Sequence, residues 1–286
     1  MDKTVLVVGA TGMLGKPVAY HLRDNGFKVR ILARDPEKAK CYFDDSFEIV
    51  SGEANNIDSL DESLEGCYGV HINLSGDIEL TGGKNVVDAA SRKEIKRITY
   101  ISGTSVCEEH IWFPMIKTKL HVENCIRESG VPFTIFRPTW FMEVIPNFVK
   151  ETKAFVFGKQ PNPYHFIAAE DYARMVATSY GNEDAAGKTF FIHGPEGVLM
   201  HDAVKRYCAA LRPDLTKITT LPYWMINIIA SLKGNDAMKW AGKFAAYFEK
   251  VGERGDPTEA NDLLGAPKIT LDEWIKKRQT ETSHSN

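Results

Sequence analysis

Residues 4–15 read Thr4-Val-Leu-Val-Val-Gly-Ala-Thr-Gly-Met-Leu-Gly15, an apolar run that breaks into glycines and then into a helical pattern. Gly9, Gly12 and Gly15 stand three apart, and each has a physical purpose. The first permits a tight turn, the second lets a pyrophosphate approach the backbone, and the third allows the new helix to pack closely on the strand. Unpaired N–H groups at the helix start, with the helix dipole behind them, favour an anion. The pattern follows an apolar strand and opens a helix. It therefore predicts a dinucleotide-binding βαβ unit that touches its cofactor through Gly9, Thr11, Gly12, Met13, Leu14 and Gly15.

Cofactor choice is read at the end of the second strand. An acidic residue there bonds the ribose 2′-hydroxyl of NAD, whereas an arginine can hold the 2′-phosphate of NADP. The stretch Ile31-Leu-Ala-Arg-Asp-Pro36 supplies Arg34, whose planar fork suits phosphate. Lys38, one turn into the next helix, adds a second cation. Asp35 is adjacent, but Pro36 begins the helix and makes Asp35 its cap. NADP(H) is the expected cofactor, with NAD(H) the less favoured alternative.

Farther along, apolar runs alternate with helical patterns. Short buried strands are expected at Val5–Val8, Val29–Ala33, Phe47–Val50, Gly69–Leu74, Arg97–Ile101 and Pro132–Phe136. Helices are expected near 14–25, 36–43, 57–64, 79–93 and 115–129. Repeated strand-then-helix spacing predicts an α/β fold, a doubly wound parallel sheet of the Rossmann type whose ligands lie beyond the carboxyl ends of the strands. After about residue 138 aromatic residues thicken and Pro and Gly interrupt the runs. Helical segments recur near 170–180, 201–211, 222–232 and 235–251, with one strand at Thr189–His193. The division expected is a nucleotide-binding domain over 1–138, a smaller, mostly helical substrate lobe over 139–278, and a disordered polar tail over 279–286.

Composition excludes several classes. With 43% hydrophobic residues, 26% charged residues and a net charge of -3, the chain has no basic face of the kind that recruits nucleic acid. Its cysteines, Cys41, Cys67, Cys107, Cys125 and Cys208, are widely spaced and form no C-x-x-C pair. They suggest neither a disulfide framework nor a zinc site, and no metal is expected. A reduced cytoplasmic compartment fits this usage. The N-terminus does not read as a secretory signal. The apolar stretch Leu221–Leu232 is shorter than the ~20 residues that span a bilayer, so no membrane insertion is expected. No G-x-S-x-G elbow supports hydrolase chemistry.

Beyond these features, the chain resembles atypical short-chain dehydrogenase/reductases of the NmrA-like, isoflavone-reductase-like group. The resemblance runs over nearly the whole length. It is carried by G-A-T-G-M-L-G (9–15), V-R-I-L-A-R-D-P (29–36), G-E-A-N-N-I-D-S-L (52–60), Y-I-S-G-T-S-V (100–106), K-L-H-V-E (119–123), E-S-G-V-P-F-T-I-F-R-P (128–138) and A-A-E-D-Y-A-R-M-V-A (168–177). By position it implies that Glu53 and Ala54 lie beside the adenine and that Asn73, Leu74 and Ser75 line the bridge to the nicotinamide. Ile101 and Ser102 are implied beneath the nicotinamide, and Pro138, Thr139, Trp140 and Phe141 flank it and the substrate.

Short-chain reductases commonly pair a Tyr acid with a Lys four residues later. The resemblance places Lys119 at the Lys position, because Glu123 follows at the K-x-x-x-E spacing. Met115 then stands where the Tyr would be and cannot donate a proton. Ser102, Gly103 and Thr104 cover the region of the usual hydroxyl, and the best-aligned position is Gly103. Isoflavone-reductase-like relatives manage with a Lys alone, so Lys119 is the catalytic candidate, as acid or as polarising cation; ribose binding without proton transfer remains open. Lys117, two residues away, points ~200° around a helix, so only one of the two can face the cofactor. His110 is a candidate for overhanging the pocket. His165 could line the substrate cleft with Tyr164 and Phe166, and His121 is expected on the surface.

Two functions remain open. The first is an NADPH-dependent oxidoreductase passing hydride to a small, aromatic or quinone-like acceptor in a pocket of His110, Trp140, Phe141, Tyr164 and Phe166. The second is a non-catalytic NADP(H) sensor that regulates a protein partner, a reading favoured by Met115 and Gly103. An epimerase or dehydratase acting on a nucleotide sugar is disfavoured, because those also rely on the Tyr. A homodimer is left open.

Overall fold

The computed structural model describes residues 3–232 and 234–284. In chain order the elements begin β1 (Thr4–Val8), α1 (Gly15–Asp24), β2 (Lys28–Ala33), α2 (Pro36–Lys40), β3 (Phe47–Ser51), α3 (Ile57–Ser63), β4 (Gly69–Ile72) and α4 (Asp77–Arg92). They continue with β5 (Arg97–Ile101), α5 (Pro114–Glu128), β6 (Phe133–Pro138), β7 (Val149–Lys150), β8 (Lys153–Phe157), α6 (Ala169–Gly181) and β9 (Lys188–Ile192). The last are α7 (Met200–Leu211), β10 (Ile218–Leu221), α8 (Tyr223–Leu232), α9 (Asp236–Val251), α10 (Thr258–Leu264) and α11 (Leu271–His284). Short 3-10 turns occur at Glu108–His110, Met142–Phe148 and Glu183–Ala185.

The chain forms two compact units. The first comprises residues 1–138, 169–192 and 256–266, and the second 139–168, 193–255 and 267–286. The first break thus follows Pro138, but residues 169–192 and 256–266, assigned to the second lobe from the sequence, belong to the first unit. The reason is hydrogen bonding: β9 completes the sheet beside β6, and Arg174 of α6 donates to the carbonyls of Leu264, Gly265 and Ala266. The disordered tail expected over 279–286 is also corrected, because α11 carries the helix through His284. Gln279 Nε2 donates to the Ala210 carbonyl at 2.9 Å. Residues 285 and 286 lie outside the described residues.

The first unit is a seven-stranded sheet in the order β3-β2-β1-β4-β5-β6-β9, with every pairing parallel. This is the doubly wound Rossmann order. Its strands are near-continuous Val, Ile and Leu because both faces are covered by helices. Val5, Leu6 and Val7 have no exposed surface, and Leu6, Val8, Val70, Ile72, Val86, Ile98, Tyr100 and Ile135 share one core. Strand register aligns the carboxyl ends. Val8 lies opposite Leu32 on one side and Ile72 on the other, and Leu32 lies opposite Val50. The segments after β1, β2, β3 and β4 therefore emerge together at one end of the sheet. The chain order reverses between β1 and β4, the switch point at which such sheets hold ligands.

The second unit is built from α7, α8, α9 and α11 around a three-stranded sheet, β10-β8-β7. Its core contains Met142, Ile145, Ala154, Val156, Tyr164, Phe166, Val204, Leu271 and Trp274. Among the described residues, no helix is long and apolar enough to cross a membrane.

Candidate functional site

The glycine turn is shaped as its spacing requires. Gly9 has φ +84°, a left-handed conformation favoured by glycine, and its carbonyl accepts from the N–H of Gly12 at 3.2 Å. At Gly15 a β-carbon would collide with that same Gly9 carbonyl and stand 2.8 Å from both Ala10 Cα and Asn73 Nδ2. Asn73, just past β4, bonds Val8 through its own N–H at 3.0 Å and reaches Gly9 through its amide at 3.3 Å, pinning the turn across the switch point. Helix α1 starts without a side-chain cap and has no acidic residue in its first turn, so its positive end is uncompensated.

Beside this turn lies a cleft of about 600 Å³ lined by Gly9, Thr11, Arg34, Lys38, Glu53, Ala54 and Leu74 among others. Asp35 also lines it, but its carboxylate caps α2 by accepting from the Lys38 N–H at 3.0 Å. Arg34 and Lys38 are exposed, and neither side chain has an acidic partner among the described residues. Two unspent cations therefore stand at the end of β2, where a 2′-phosphate would need them. Ala54 and Glu53 are held by their own neighbours: Asn85 Nδ2 donates to the Ala54 carbonyl at 3.2 Å, and Ser59 Oγ bonds both the N–H and the carbonyl of Glu53. Gly12, Met13 and Ser75 are exposed at the same end of the sheet. A closed glycine cradle, an open helix terminus and two unpaired cations fit a phosphorylated dinucleotide.

Lys119 occupies a different setting from the one its motif suggests. Gly82 and Gly83 flatten one face of α4, and a β-carbon at Gly83 would meet Val122 of α5 at 3.0 Å, so the two helices pack closely. One turn earlier on each, Lys119 Nζ donates to Glu79 Oε1 at 2.7 Å. The same oxygen accepts from the Tyr100 hydroxyl at 2.8 Å, and Lys119 Nζ also reaches the Ile101 carbonyl at 3.3 Å. The side chains of Lys119 and Glu79 are 12% and 2% exposed. Burial first, then the Glu79 carboxylate, push the Tyr100 hydroxyl well up, so it remains a protonated donor. Glu79 and Tyr100 were not singled out from sequence, because a partner forty residues away leaves no local spacing to read.

Ser102 and Glu123 form a second buried network. Ser102 Oγ donates to Glu123 Oε1 at 2.5 Å, Arg137 reaches both carboxylate oxygens at 2.9 and 2.6 Å, and Arg127 adds a contact at 2.6 Å. Burial alone would raise this carboxyl, but Arg137, Ser102 and Arg127 together hold it below the usual carboxylate range. The K-x-x-x-E glutamate thus ties β5, α5 and β6 together, and the Ser102 hydroxyl is spent on it. His110 ends a 3-10 turn and bonds the Ser105 carbonyl through Nδ1 at 2.9 Å. Lys117 is exposed and Lys119 turned inward, as their helical separation requires, while His121 contacts Cys125 on the surface.

The remaining expected residues divide at the unit boundary: Pro138 ends β6 in the first unit, whereas Thr139, Trp140 and Phe141 open the second. Tyr164 and Phe166, expected in a substrate pocket, are corrected to core positions. They are 0% and 1% exposed, and the Tyr164 hydroxyl is committed to Gln160 Oε1 at 2.7 Å. Phe141 is likewise buried. Of the expected pocket residues, Trp140 does line a cavity, an apolar one of about 490 Å³ shared with Phe148, Phe155, Phe157, Met238 and Phe244. The helix expected near 235–251 is α9, which walls this cavity, whereas the small sheet beside it had no counterpart among the expected strands.

A model of the NmrA-like family matches residues 1–222. The chain belongs to the NmrA-like family. Among its relatives, this NmrA-like protein is 21% identical over 246 residues to the photosystem II assembly factor Ycf39 of Trieres chinensis, covering 81% of this chain and 76% of the relative. It is 27% identical over 199 residues to the (4-alkanoyl-5-oxo-2,5-dihydrofuran-3-yl)methyl phosphate reductase of Streptomyces griseus, covering 68% and 69%. The crystal structure of an NADPH-dependent quinone oxidoreductase complexed with NADPH from Escherichia coli superposes with a TM-score of 0.78 at 18% identity. That match covers 96% of this chain and 99% of the other and demonstrates the shared fold.

Proposed function

We propose that this NmrA-like protein binds NADP(H) at the switch point of its sheet and reduces a small, aromatic or quinone-like acceptor. The observation that carries the reading is the pair of unpaired cations, Arg34 and Lys38, on the rim of the cleft beside the Gly9–Gly15 turn. In this assignment the turn and the start of α1 hold the pyrophosphate, and Arg34 with Lys38 grips the 2′-phosphate. Glu53, Ala54 and Leu74 line the adenosine end. When bound, the dinucleotide supplies the hydride.

The chain's own residues narrow the acceptor. An ammonium carries three N–H donors, and Lys119 spends two, on Glu79 and on Ile101. The third is left for a ribose hydroxyl or an acceptor oxygen. Held by these two bonds, Lys119 is placed to orient and polarise an acceptor oxygen. With Met115 at the usual acid position, an acceptor that needs little proton donation from the protein, such as a quinone, is favoured. The relatives named as reductases agree with this reading. A second reading, an NADP(H)-binding regulator of a protein partner, draws on the same locked Lys119 and on the relative named as an assembly factor.

Mixing purified protein with NADPH and a panel of quinones, enones and aromatic ketones, while following the loss of NADPH absorbance, tests both. Turnover with quinones is expected. Retained NADPH affinity with no oxidation across the panel would sink the reductase and leave the regulator. Arg34→Ala should raise the KM for NADPH by about tenfold and leave that for NADH nearly unchanged. A charge-assisted bond is worth ~1.5–3 kcal/mol, and solvent exposure places Arg34 at the low end. Equal effects on both cofactors would show that Arg34 does not read the 2′-phosphate.

A further inference from the structure

In the second unit, His165, His193 and Glu253 bring one donor atom each to within 4.8 Å of one another. They come from three segments separated by tens of residues, and the backbone holds those segments in place. Tyr164 and Val198 exchange both N–H···O bonds at 2.9 Å, and the Gly194 N–H donates to the His165 carbonyl at 2.9 Å. That last bond sets His193 directly beside His165, with rings stacked at 5.5 Å and 25°. It needs glycine at 194, where a β-carbon would strike the Phe166 carbonyl.

Two of the three donors, those of His193 and Glu253, are also oriented by an outer contact. The Nε2 of His193 bonds the Arg254 carbonyl at 3.1 Å, which leaves Nδ1 with the lone pair. One carboxylate oxygen of Glu253 accepts from the His165 N–H at 2.9 Å and from the Thr139 hydroxyl, and the other lies 2.8 Å from His165 Nδ1. An imidazole whose far N–H is fixed by a carbonyl, as in His193, next to a carboxylate anchored by backbone, as in Glu253, is the outer shell with which metal-binding histidines and carboxylates recur. Two imidazoles and one carboxylate suit a borderline divalent ion, with Zn–N near ~2.0–2.1 Å and Zn–O near ~2.0–2.2 Å. Side-chain exposures of 41% for His165 and 9% for Glu253 open the imidazole to solvent while the carboxylate stays buried, so an entering ion would replace the 2.8 Å contact between the two.

The geometry points to a divalent-cation site, with Zn²⁺ the best-fitting ion, formed by His165, His193 and Glu253 and completed by water. Three protein ligands leave the fourth position open, as in zinc sites that carry an exchangeable water. The site is independent of the dinucleotide assignment, since all three ligands belong to the second unit.

Full-length protein stripped with EDTA and titrated with Zn²⁺ against a chromophoric chelator should take up one equivalent with Kd at or below about 1 μM, a binding free energy near -8 kcal/mol. His193→Ala, which removes a ligand whose other contacts are one carbonyl bond and the His165 ring, should weaken binding at least about tenfold, the scale on which even outer-shell partners count. Glu253→Gln should do the same. Far-ultraviolet circular dichroism and urea midpoints in EDTA show whether each variant is folded. Co²⁺ loaded in place of zinc should give the visible bands of a nitrogen- and oxygen-ligated ion, absent in His193→Ala. Failure to bind one equivalent, binding undiminished in folded His193→Ala, or a thiolate-to-cobalt band showing cysteine ligation would each overturn the assignment.

Discussion

Removing Lys119 alone should cost more than removing it together with Glu79. In Lys119→Met the Glu79 carboxylate, 2% exposed, keeps only the Tyr100 hydroxyl as partner. Breaking a buried pair from one side typically costs ~3–5 kcal/mol, because it strands the other charge. Lys119 retains 12% exposure, which lets some water reach the site and puts the expected loss near about 3 kcal/mol. Glu79→Gln strands a cation that can turn toward solvent and keeps an acceptor oxygen for Tyr100, so about 1–2 kcal/mol is expected. The double variant Glu79→Gln/Lys119→Met leaves no buried charge and should lose only about 1–2 kcal/mol, a coupling of roughly 2–4 kcal/mol. Urea unfolding of the four proteins measures this cycle. Additivity of the single losses to within about 0.5 kcal/mol would refute the buried pair as an energetic unit. The double variant serves a second purpose: folded but lacking the ammonium, it separates a chemical role of Lys119 from a structural one.

Two glycines of the first unit should respond differently to the same substitution. Gly15→Ala should displace the turn and weaken NADPH binding at least about tenfold by fluorescence titration, since overpacking costs ~1–3 kcal/mol. Gly26→Ala, at φ +84° with open space around it, should cost about 1–2 kcal/mol of stability and leave affinity unchanged. Equal affinities in wild type and Gly15→Ala would contradict the cradle. His71 is fully buried, and burial lowers its pKa from 6.5 to about 3. The unfolded chain takes up a proton near 6.5 and the folded chain only near 3, so stability is complete above pH 6.5 and erodes as the pH falls. The loss at pH 5 should be about 2 kcal/mol by urea denaturation and should shrink toward zero in His71→Gln. An unchanged slope in that variant would assign the acid sensitivity to other groups.

The parallel sheet and its helices were legible because burial on both faces writes strands as short Val/Ile/Leu runs and helices as amphipathic periods. The cap at Asp35, the turn at Gly9 and the cleft-lining positions of Arg34 and Lys38 could be read because backbone geometry constrains residue type locally, whereas Glu53, Ala54 and Leu74 came only from the family resemblance. What depended on distant chain was not legible. Glu79 carries no mark of Lys119, nor His193 of Glu253, because nothing local requires them. The strands β7, β8 and β10 are two to five residues long, and their Phe155 and Phe157 read only as a thickening of aromatics. Tyr164 and Phe166 misled because an aromatic in a core and one in a pocket look identical in sequence.

The position of β9 at the end of the sheet has a consequence for synthesis. Until β9 arrives, β6 presents an open strand edge, and bare edges invite pairing with other chains. Between Pro138 and Ile192 the ribosome must add the whole of β7, β8 and α6. At ~5–20 residues per second that interval lasts roughly 3–11 seconds, during which the nascent sheet is unprotected at its rim and still lacks α6, whose Tyr172 and Tyr180 pack on Phe136 and Phe27. Chaperone capture is most useful in that window, and a chain stalled or truncated just past β6 would be an aggregation hazard despite carrying every residue of the cleft.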